Sequence, residues 1–258
     1  MPSIWLSSIG KDQAAVQKIM TQMKTYGVIV KGHFWNYDNA KMAWKESLAE
    51  ACAKDIVAWA IFATRDELND EGVRYGLSML ALCLAAERGA DFPILVLQRF
   101  GDALTAETLP TPLRQAAIIP TEAAGTQAKI VARLHAKAVA PPAPYFINMV
   151  GSAMVGQWLE IRPTSEKWPG IIFGVDQGEI AFQAVGLAGA LPDKSTLHHA
   201  MRGLQIELGA KKYTAWAVRN EITPQSSYYV KIDGAPDSIL FGPFTEGDQA
   251  EMFTLDLK

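Results

Sequence analysis

The run Ile56 to Ala63 (IVAWAIFA) constrains this chain more than any other stretch. It carries no polar side chain, is bounded by Lys54-Asp55 and Thr64-Arg65-Asp66, and is too short for a membrane span. A short apolar run of this kind is the mark of a strand covered on both faces, which belongs inside a sheet with helices above and below it. The residues on either side fit that demand. Ser3 to Ser7 is a short apolar strand stopped by Ser-Ile-Gly. Asp12 has helix N-cap chemistry, Val16, Ile19, Met20 and Met23 follow at helical spacing, and Gly27 closes the helix. Val28 to Val30 is a second strand, Lys31 to Asn39 a polar and aromatic loop, and Met42 to Ala53 a second helix through Trp44, Leu48 and Ala51. A third helix runs from Asp70 to Arg88, Pro93 to Leu97 is a fourth strand, Leu113 to Ile119 holds a helical turn and a short strand, and Thr126 to Ala138 a last helix. Parallel strands need crossover helices, so this alternation predicts an α/β domain with an open parallel sheet over residues 1–138. Ligands on such sheets sit at the carboxyl ends of the strands, which directs attention to the loops after Ser7, Val30 and Ala63.

The segment 139–145 (VAPPAPY) reads as a linker, because three prolines in four residues cannot continue a helix. Residues 146–258 have a different texture. Strands are expected at Trp158 to Arg162, Gly170 to Val175, Glu179 to Val185, Tyr213 to Asn220, Ser227 to Ile232, Ser238 to Phe244 and Met252 to Leu257. One helix, Ser195 to Leu208, is expected among them, giving a β-rich α+β domain. Tyr228 and Tyr229 point to opposite faces of their strand, which would leave one of them exposed.

A net charge of −3 provides no field to gather nucleic acid or an acidic membrane surface. Cys52 and Cys83 lack the spacing of a disulfide framework or a zinc site and read as small buried apolar residues. No metal site is expected. The adjacent His198 and His199 point in different directions on the expected helix and cannot form a ligand pair. The N-terminus carries no signal-peptide pattern, and a cytoplasmic location is the resulting expectation.

The first half resembles the TIR (Toll/interleukin receptor) domains of bacterial type. Ile4-Trp5-Leu6-Ser7-Ser8-Ile9-Gly10-Lys11-Asp12 is similar to that family's opening FISYSxKD. Trp44, Leu48, Ala51 and Asp55 match its run into the third strand. Thr64 to Leu77 lines up without a gap on SxxYLxSxWVRxEL, and Pro93 to Leu97 with Leu109-Pro110 resemble its fourth strand and following loop. The resemblance implies a flavodoxin-like (TIR-like) sheet, a signalling or defence-type role, self-association or a protein partner, and NAD or another nucleotide as ligand. Independently of the resemblance, Ser7, Ser8, Gly10 and Lys11 form a loop before a helix, where backbone N–H groups and a nearby lysine favour a phosphate, and the helix face of Gly72 and Gly76 could accept a flat base; the resemblance adds Trp35, whose loop borders the nucleotide site in that family. The loop holding His33, Phe34, Trp35 and Tyr37 corresponds to one that mediates assembly.

The same alignment puts glycine where the family has its catalytic glutamate, at Gly76, and glycine where it has a tryptophan, at Gly72. A departing sugar develops oxocarbenium character that a fixed carboxylate stabilises, and glycine has no side chain for this. The DSGTxxE run of nucleoside deoxyribosyltransferases, echoed by Asp70-Glu71-Gly72-Val73, also places its glutamate on Gly76. The expectation is a pseudoenzyme that binds or assembles. The alternative is an active NAD or nucleoside N-glycosidase using Glu71 or Glu67. Two glycines four apart share a helix face and allow close approach of a ligand or of a neighbouring element.

Overall fold

The computed structural model describes residues 1–136, 143–245 and 251–258. The chain divides into two compact units, Met1–Pro141 and Pro142–Lys258.

The first unit is a five-stranded parallel sheet in the order β2-β1-β3-β4-β5, the flavodoxin-like order. The strands are β1 (Ser3–Ser8), β2 (Ile29–Phe34), β3 (Ile56–Ala63), β4 (Ile94–Gln98) and β5 (Ala117–Pro120), and the helices are α1 (Gln13–Thr25), α2 (Leu48–Ala51), α3 (Arg65–Asn69), α4 (Glu71–Arg88) and α5 (Thr126–His135). β3 lies at the centre, and all its residues except Val57 are buried. Its even positions Ala58, Ala60 and Phe62 join Leu6, Leu97, Met23 and Ile130 in one core under α1 and α5. Its odd positions face the other side, where the buried Trp59 donates its indole N–H to Ser7 Oγ at 3.0 Å.

α4 is buried almost continuously from Tyr75 to Leu84, as a helix apolar on all sides must be. Asp70 starts it, its carboxylate accepting from the Val73 N–H at 2.9 Å. Just before it, Thr64 and Glu67 form a reciprocal capping box on α3. The T-x-x-E pattern behind it is present in the sequence. Asp70→Ala is expected to cost about 1 kcal/mol, read as a shift in the urea midpoint without a change of slope.

Several expectations are corrected. The second strand extends to Phe34 and takes in half of the expected loop. It is a sheet edge, largely exposed, so its residues lack the apolar run that marks a buried strand. The expected helix 42–53 is replaced by 3-10 turns at Asn39–Lys41 and Ala43–Lys45, then the single turn α2. Met42, with φ of 53°, breaks the helix before it starts. The last helix ends at His135, and 137–142, with most of the expected linker, lie outside the described residues. Tyr145, assigned to that linker, opens a strand.

The second unit holds two antiparallel sheets. One has the order β6-β7-β12-β9, the other β10-β11-β8-β13-β14. The strands are β6 (Tyr145–Ser152), β7 (Gly156–Pro163), β8 (Ile171–Val175), β9 (Glu179–Leu187), β10 (Met201–Leu208), β11 (Lys211–Val218), β12 (Ser226–Asp233), β13 (Ser238–Pro243) and β14 (Phe253–Asp256). Phe173 from one sheet meets Tyr228 from the other at 6.4 Å between ring centres. The expected helix 195–208 is instead a bend followed by β10. Leu204, Ile206 and Leu208 alternate at strand period, and Gly203 with φ of 71° is incompatible with a helix. His198 and His199 therefore precede a strand, and the His198 N–H donates to Asn220 Oδ1 at 2.8 Å. Tyr228 and Tyr229 are both buried. The Tyr228 hydroxyl donates to Gln183 at 2.8 Å and the Tyr229 hydroxyl to the Leu187 carbonyl at 2.6 Å.

Candidate functional site

In a sheet of this order, β1 is the switch point, since the chain leaves it toward β2 on one side and returns to β3 on the other. The carboxyl ends of β1, β3 and β4 are laced together there. The Ile9 N–H donates to the Phe62 carbonyl at 3.0 Å and the Arg99 N–H to the Ala63 carbonyl at 2.8 Å. The Ser8 hydroxyl donates to the Gly10 carbonyl at 2.7 Å, while the Ser8 carbonyl accepts from the Trp35 N–H at 2.8 Å.

Gly10 lies directly against Glu67, and a Cβ at position 10 would overlap that carboxylate. One Glu67 oxygen accepts from the Thr64 N–H at 2.7 Å, and the other is the one over Gly10. Arg99 borders the same spot, its guanidinium donating to Asp12 at 2.6 Å and lying 5.2 Å from the ring centre of Phe62 and 5.1 Å from that of Phe100. Tyr37 closes the other side, its hydroxyl donating to the Ile9 carbonyl at 2.9 Å. Partial burial, and then the Glu67 and Asp70 carboxylates, push the Tyr37 hydroxyl above its ordinary pKa. Asp12 is held below the usual carboxylate range, first by the Ala15 N–H and then by Arg99, against an opposing effect of burial. The mouth thus holds a neutralised Asp12–Arg99 pair, the Glu67 carboxylate, and exposed rings at Tyr37 and Phe100.

The structure brings Ser8, Gly10 and Glu67 together here. Lys11 is exposed on the same loop. Ser7 is wholly buried under the sheet against Trp59. Trp35, Gly72 and Gly76 make a separate packed group. Trp35 is 2 % exposed, and its ring carbon Cζ2 lies 2.8 Å from where a Cβ at position 76 would stand. Asn39 joins them, with its Nδ2 donating to the Gly72 carbonyl at 2.8 Å and its Oδ1 3.1 Å from the same Cβ position. The close approach that Gly76 permits is made by the protein's own indole, and that at Gly72 by the Asn39 side chain and the Asp70 carboxylate. Trp35 Nε1, Trp44 Nε1 and Asn39 Oδ1 are buried without hydrogen-bond partners. Glu71 is exposed on the first turn of α4. Tyr37 belongs to the aromatic loop that the sequence marks, whereas Arg99 and its pairing with Asp12 are not visible there. Arg99 directly follows a strand, so the loop after Leu97 is a fourth place to look under the same rule.

His33 stacks on Trp5, with ring centres 5.7 Å apart, and lies 6.1 Å from Trp35. Burial holds its pKa below the ordinary value against a weaker opposing pull from Glu50. The unfolded chain therefore takes up this proton first as pH falls. The stability contributed by neutral His33 is complete above about pH 6.5 and declines as pH drops from there toward the lowered folded value. His33→Phe is expected to flatten the midpoint-versus-pH curve over that window, and identical slopes would contradict this.

Of the cysteines, Cys83 is buried and Cys52 half-buried. Among the described residues, no group of three or more His, Cys, Asp or Glu is placed to hold a metal ion, and no helix is long and apolar enough to cross a membrane.

No family model matches the chain, and no curated protein sequence matches it. Among solved structures it is similar to a response regulator receiver protein from Pseudomonas putida, at 11 % identity, covering 51 % of this chain and 96 % of that one with a TM-score of 0.33.

Proposed function

We propose that the chain is a TIR-like signalling or defence-type protein of the cytoplasm whose N-terminal unit holds a nucleotide or assembles without hydrolysing NAD, and whose C-terminal unit senses a ligand or partner. The observation that carries this reading is Gly76 packed beneath Trp35. The position that bears the catalytic carboxylate in the family it resembles has neither a side chain nor space for one. The exposed rings of Phe34, Tyr37 and Phe100 around the carboxyl end of the sheet supply apolar surface for assembly or for stacking on a base. Ser8, Gly10 and Lys11 lie in the loop before α1, where backbone N–H groups and a nearby lysine suit a phosphate.

One observation favours the catalytic alternative. Glu67 reaches the switch point and lies over Gly10, whereas Glu71 stands outside on the first turn of α4. If a glycosidic bond is cleaved, Glu67 is the carboxylate placed to stabilise the developing positive charge.

A thermal-shift panel of NAD, ADP-ribose, nucleosides and nucleotides tests both readings. A ligand at a hundred times its dissociation constant adds about 2.7 kcal/mol. The expected result is a shift with a nucleotide, weakened by Lys11→Ala and unaccompanied by release of nicotinamide or free base. Turnover that Glu67→Gln abolishes while the shift survives would replace the first reading with the second.

A further inference from the structure

The strand β10 ends one sheet of the C-terminal unit, with β11 on one side and, among the described residues, no strand on the other. Residue pairs in an antiparallel ladder alternate between those that exchange backbone hydrogen bonds and those that do not, so every second residue of β10 turns its N–H and C=O toward the open edge. Natural edge strands are guarded by proline, lysine, bulges or shortness. The first half of β10 is guarded, since its register slips between Met201 and Leu204 and Gly203 stands at a φ of 71°. The second half, Leu204-Gln205-Ile206-Glu207-Leu208, pairs with β11 without a break and contains neither proline nor lysine. Leu204 and Ile206 stand opposite the buried Ala215 and Tyr213 and extend that apolar face, yet both are only half-buried, and Leu208 is 45 % exposed. Gln205 and Glu207 are exposed on the opposite face.

We propose that this edge pairs with the same edge of a second copy of the chain, antiparallel and in register about Ile206. The stretch is complementary to its own reverse. Under a two-fold axis through Ile206 and perpendicular to the sheet, Leu204 faces the partner's Leu208, Gln205 the partner's Glu207 and Ile206 the partner's Ile206. Apolar then stands opposite apolar on one face, and a carboxamide donor opposite a carboxylate on the other. Such an axis keeps the two apolar faces on one side, and it closes the contact into a dimer instead of an open chain. Other registers fit worse. A shift of the axis by half a step sets Ile206 against Glu207 and Gln205 against Leu208. Centring on Glu207 sets two carboxylates opposite each other. In the proposed register the two Glu207 side chains are only diagonal neighbours, and each already meets Lys212 of its own copy at 2.9 Å. A strand of an unrelated protein could use the same backbone groups, but only self-pairing makes use of the reversal symmetry of LQIEL. The pairing lies in the C-terminal unit and is independent of any nucleotide held by the other.

The test is sedimentation equilibrium of the full chain over a wide range of concentration, with variants at Gln205. The expected result is a monomer–dimer equilibrium. Gln205→Lys sets two opposite-charge pairs across the seam and is expected to tighten the dimer about fivefold, whereas Gln205→Glu sets like charges there and is expected to weaken it about fivefold. Gln205 is exposed, so both variants are expected to keep the wild-type melting temperature at low concentration, which separates association from folding. Oxidative cross-linking reads the register, with the wild type as the background for Cys52 and Cys83. Ile206→Cys is expected to form a covalent dimer and Leu204→Cys alone is not, while a mixture of Leu204→Cys with Leu208→Cys is expected to form one. A monomer at every concentration overturns the proposal and leaves the edge to a strand of another protein. A dimer that both Gln205 substitutions leave unchanged, or that Leu204→Cys cross-links as readily as Ile206→Cys, overturns it as well.

Discussion

Gly76→Glu is expected to destabilise the N-terminal unit by about 4 kcal/mol rather than to create an active site. Helix propensity alone favours the change by about 1 kcal/mol, since glycine is poor inside a helix. Steric overlap and charge burial both oppose it more strongly. A Cβ at this position would stand 2.8 Å from the Trp35 ring and 3.1 Å from Asn39 Oδ1, and overpacking of this kind costs about 1–3 kcal/mol. The carboxylate would be buried beside an acceptor oxygen that has no donor, which adds several kcal/mol more. The melting temperature is expected to fall by about 10 °C. Trp35→Ala alone removes a fully buried indole and costs about 3–5 kcal/mol. Because the two side chains compete for one volume, the double variant is expected to lose less than the sum of the singles by more than about 1 kcal/mol. Strict additivity would show that the indole and position 76 are independent.

Glu160→Ala carries the second large effect, in the C-terminal unit. Glu160 is 2 % exposed, and its Oε1 accepts from the Ser227 hydroxyl at 2.7 Å, the Gly189 N–H at 2.8 Å and Arg162 at 3.2 Å. The Gly189 contact anchors the loop after β9, which is also held by the Ala190 N–H donating to the Tyr229 hydroxyl at 3.1 Å. Truncation leaves a guanidinium, a hydroxyl and an amide unpaired in a poorly solvated place, at a cost of about 3–5 kcal/mol. Glu160→Gln keeps an acceptor oxygen but not the charge, and is expected to lose about 1–2 kcal/mol. Hydrogen exchange would locate the effect, with the Gly189 and Ala190 amides losing protection while those of β3 in the other unit do not. Equal losses for the two variants would mean that packing, not the ionic hydrogen bonds, sets the stability of this loop.

The parts of the fold legible from sequence are those where burial dominates. Ile56 to Ala63 and Pro93 to Leu97 announce central strands because both faces are covered, and Asp70 marks the start of α4 through its cap. Elements whose burial is one-sided or slight are harder. β2 reads too short because an edge strand shows little apolar pattern. β10 reads as a helix because Leu197, Met201, Leu204 and Leu208 satisfy a spacing of three to four residues as well as Leu204, Ile206 and Leu208 satisfy alternation; the conformation of Gly203 decides between them. The candidate site is half visible. Strand-end loops point to Ser8, Gly10 and Glu67. Arg99 meets Asp12 across eighty-seven residues of sequence, and no local pattern reports such a pairing. The filling of the Gly76 face by Trp35 is hidden for the same reason, since glycine spacing shows that something approaches closely but not what.

The central proposal is that this N-terminal unit has no N-glycosidic turnover of its own, since the position that bears the catalytic carboxylate in the family it resembles is Gly76, with Trp35 filling the space beside it. The most direct measurement is release of nicotinamide from NAD by the purified chain, followed chromatographically over a wide range of protein concentration. The account predicts no release above the buffer rate at any concentration, alongside unchanged ligand-induced stabilisation. Concentration-dependent release that Glu67→Gln abolishes would contradict it and assign the chemistry to the carboxylate over Gly10.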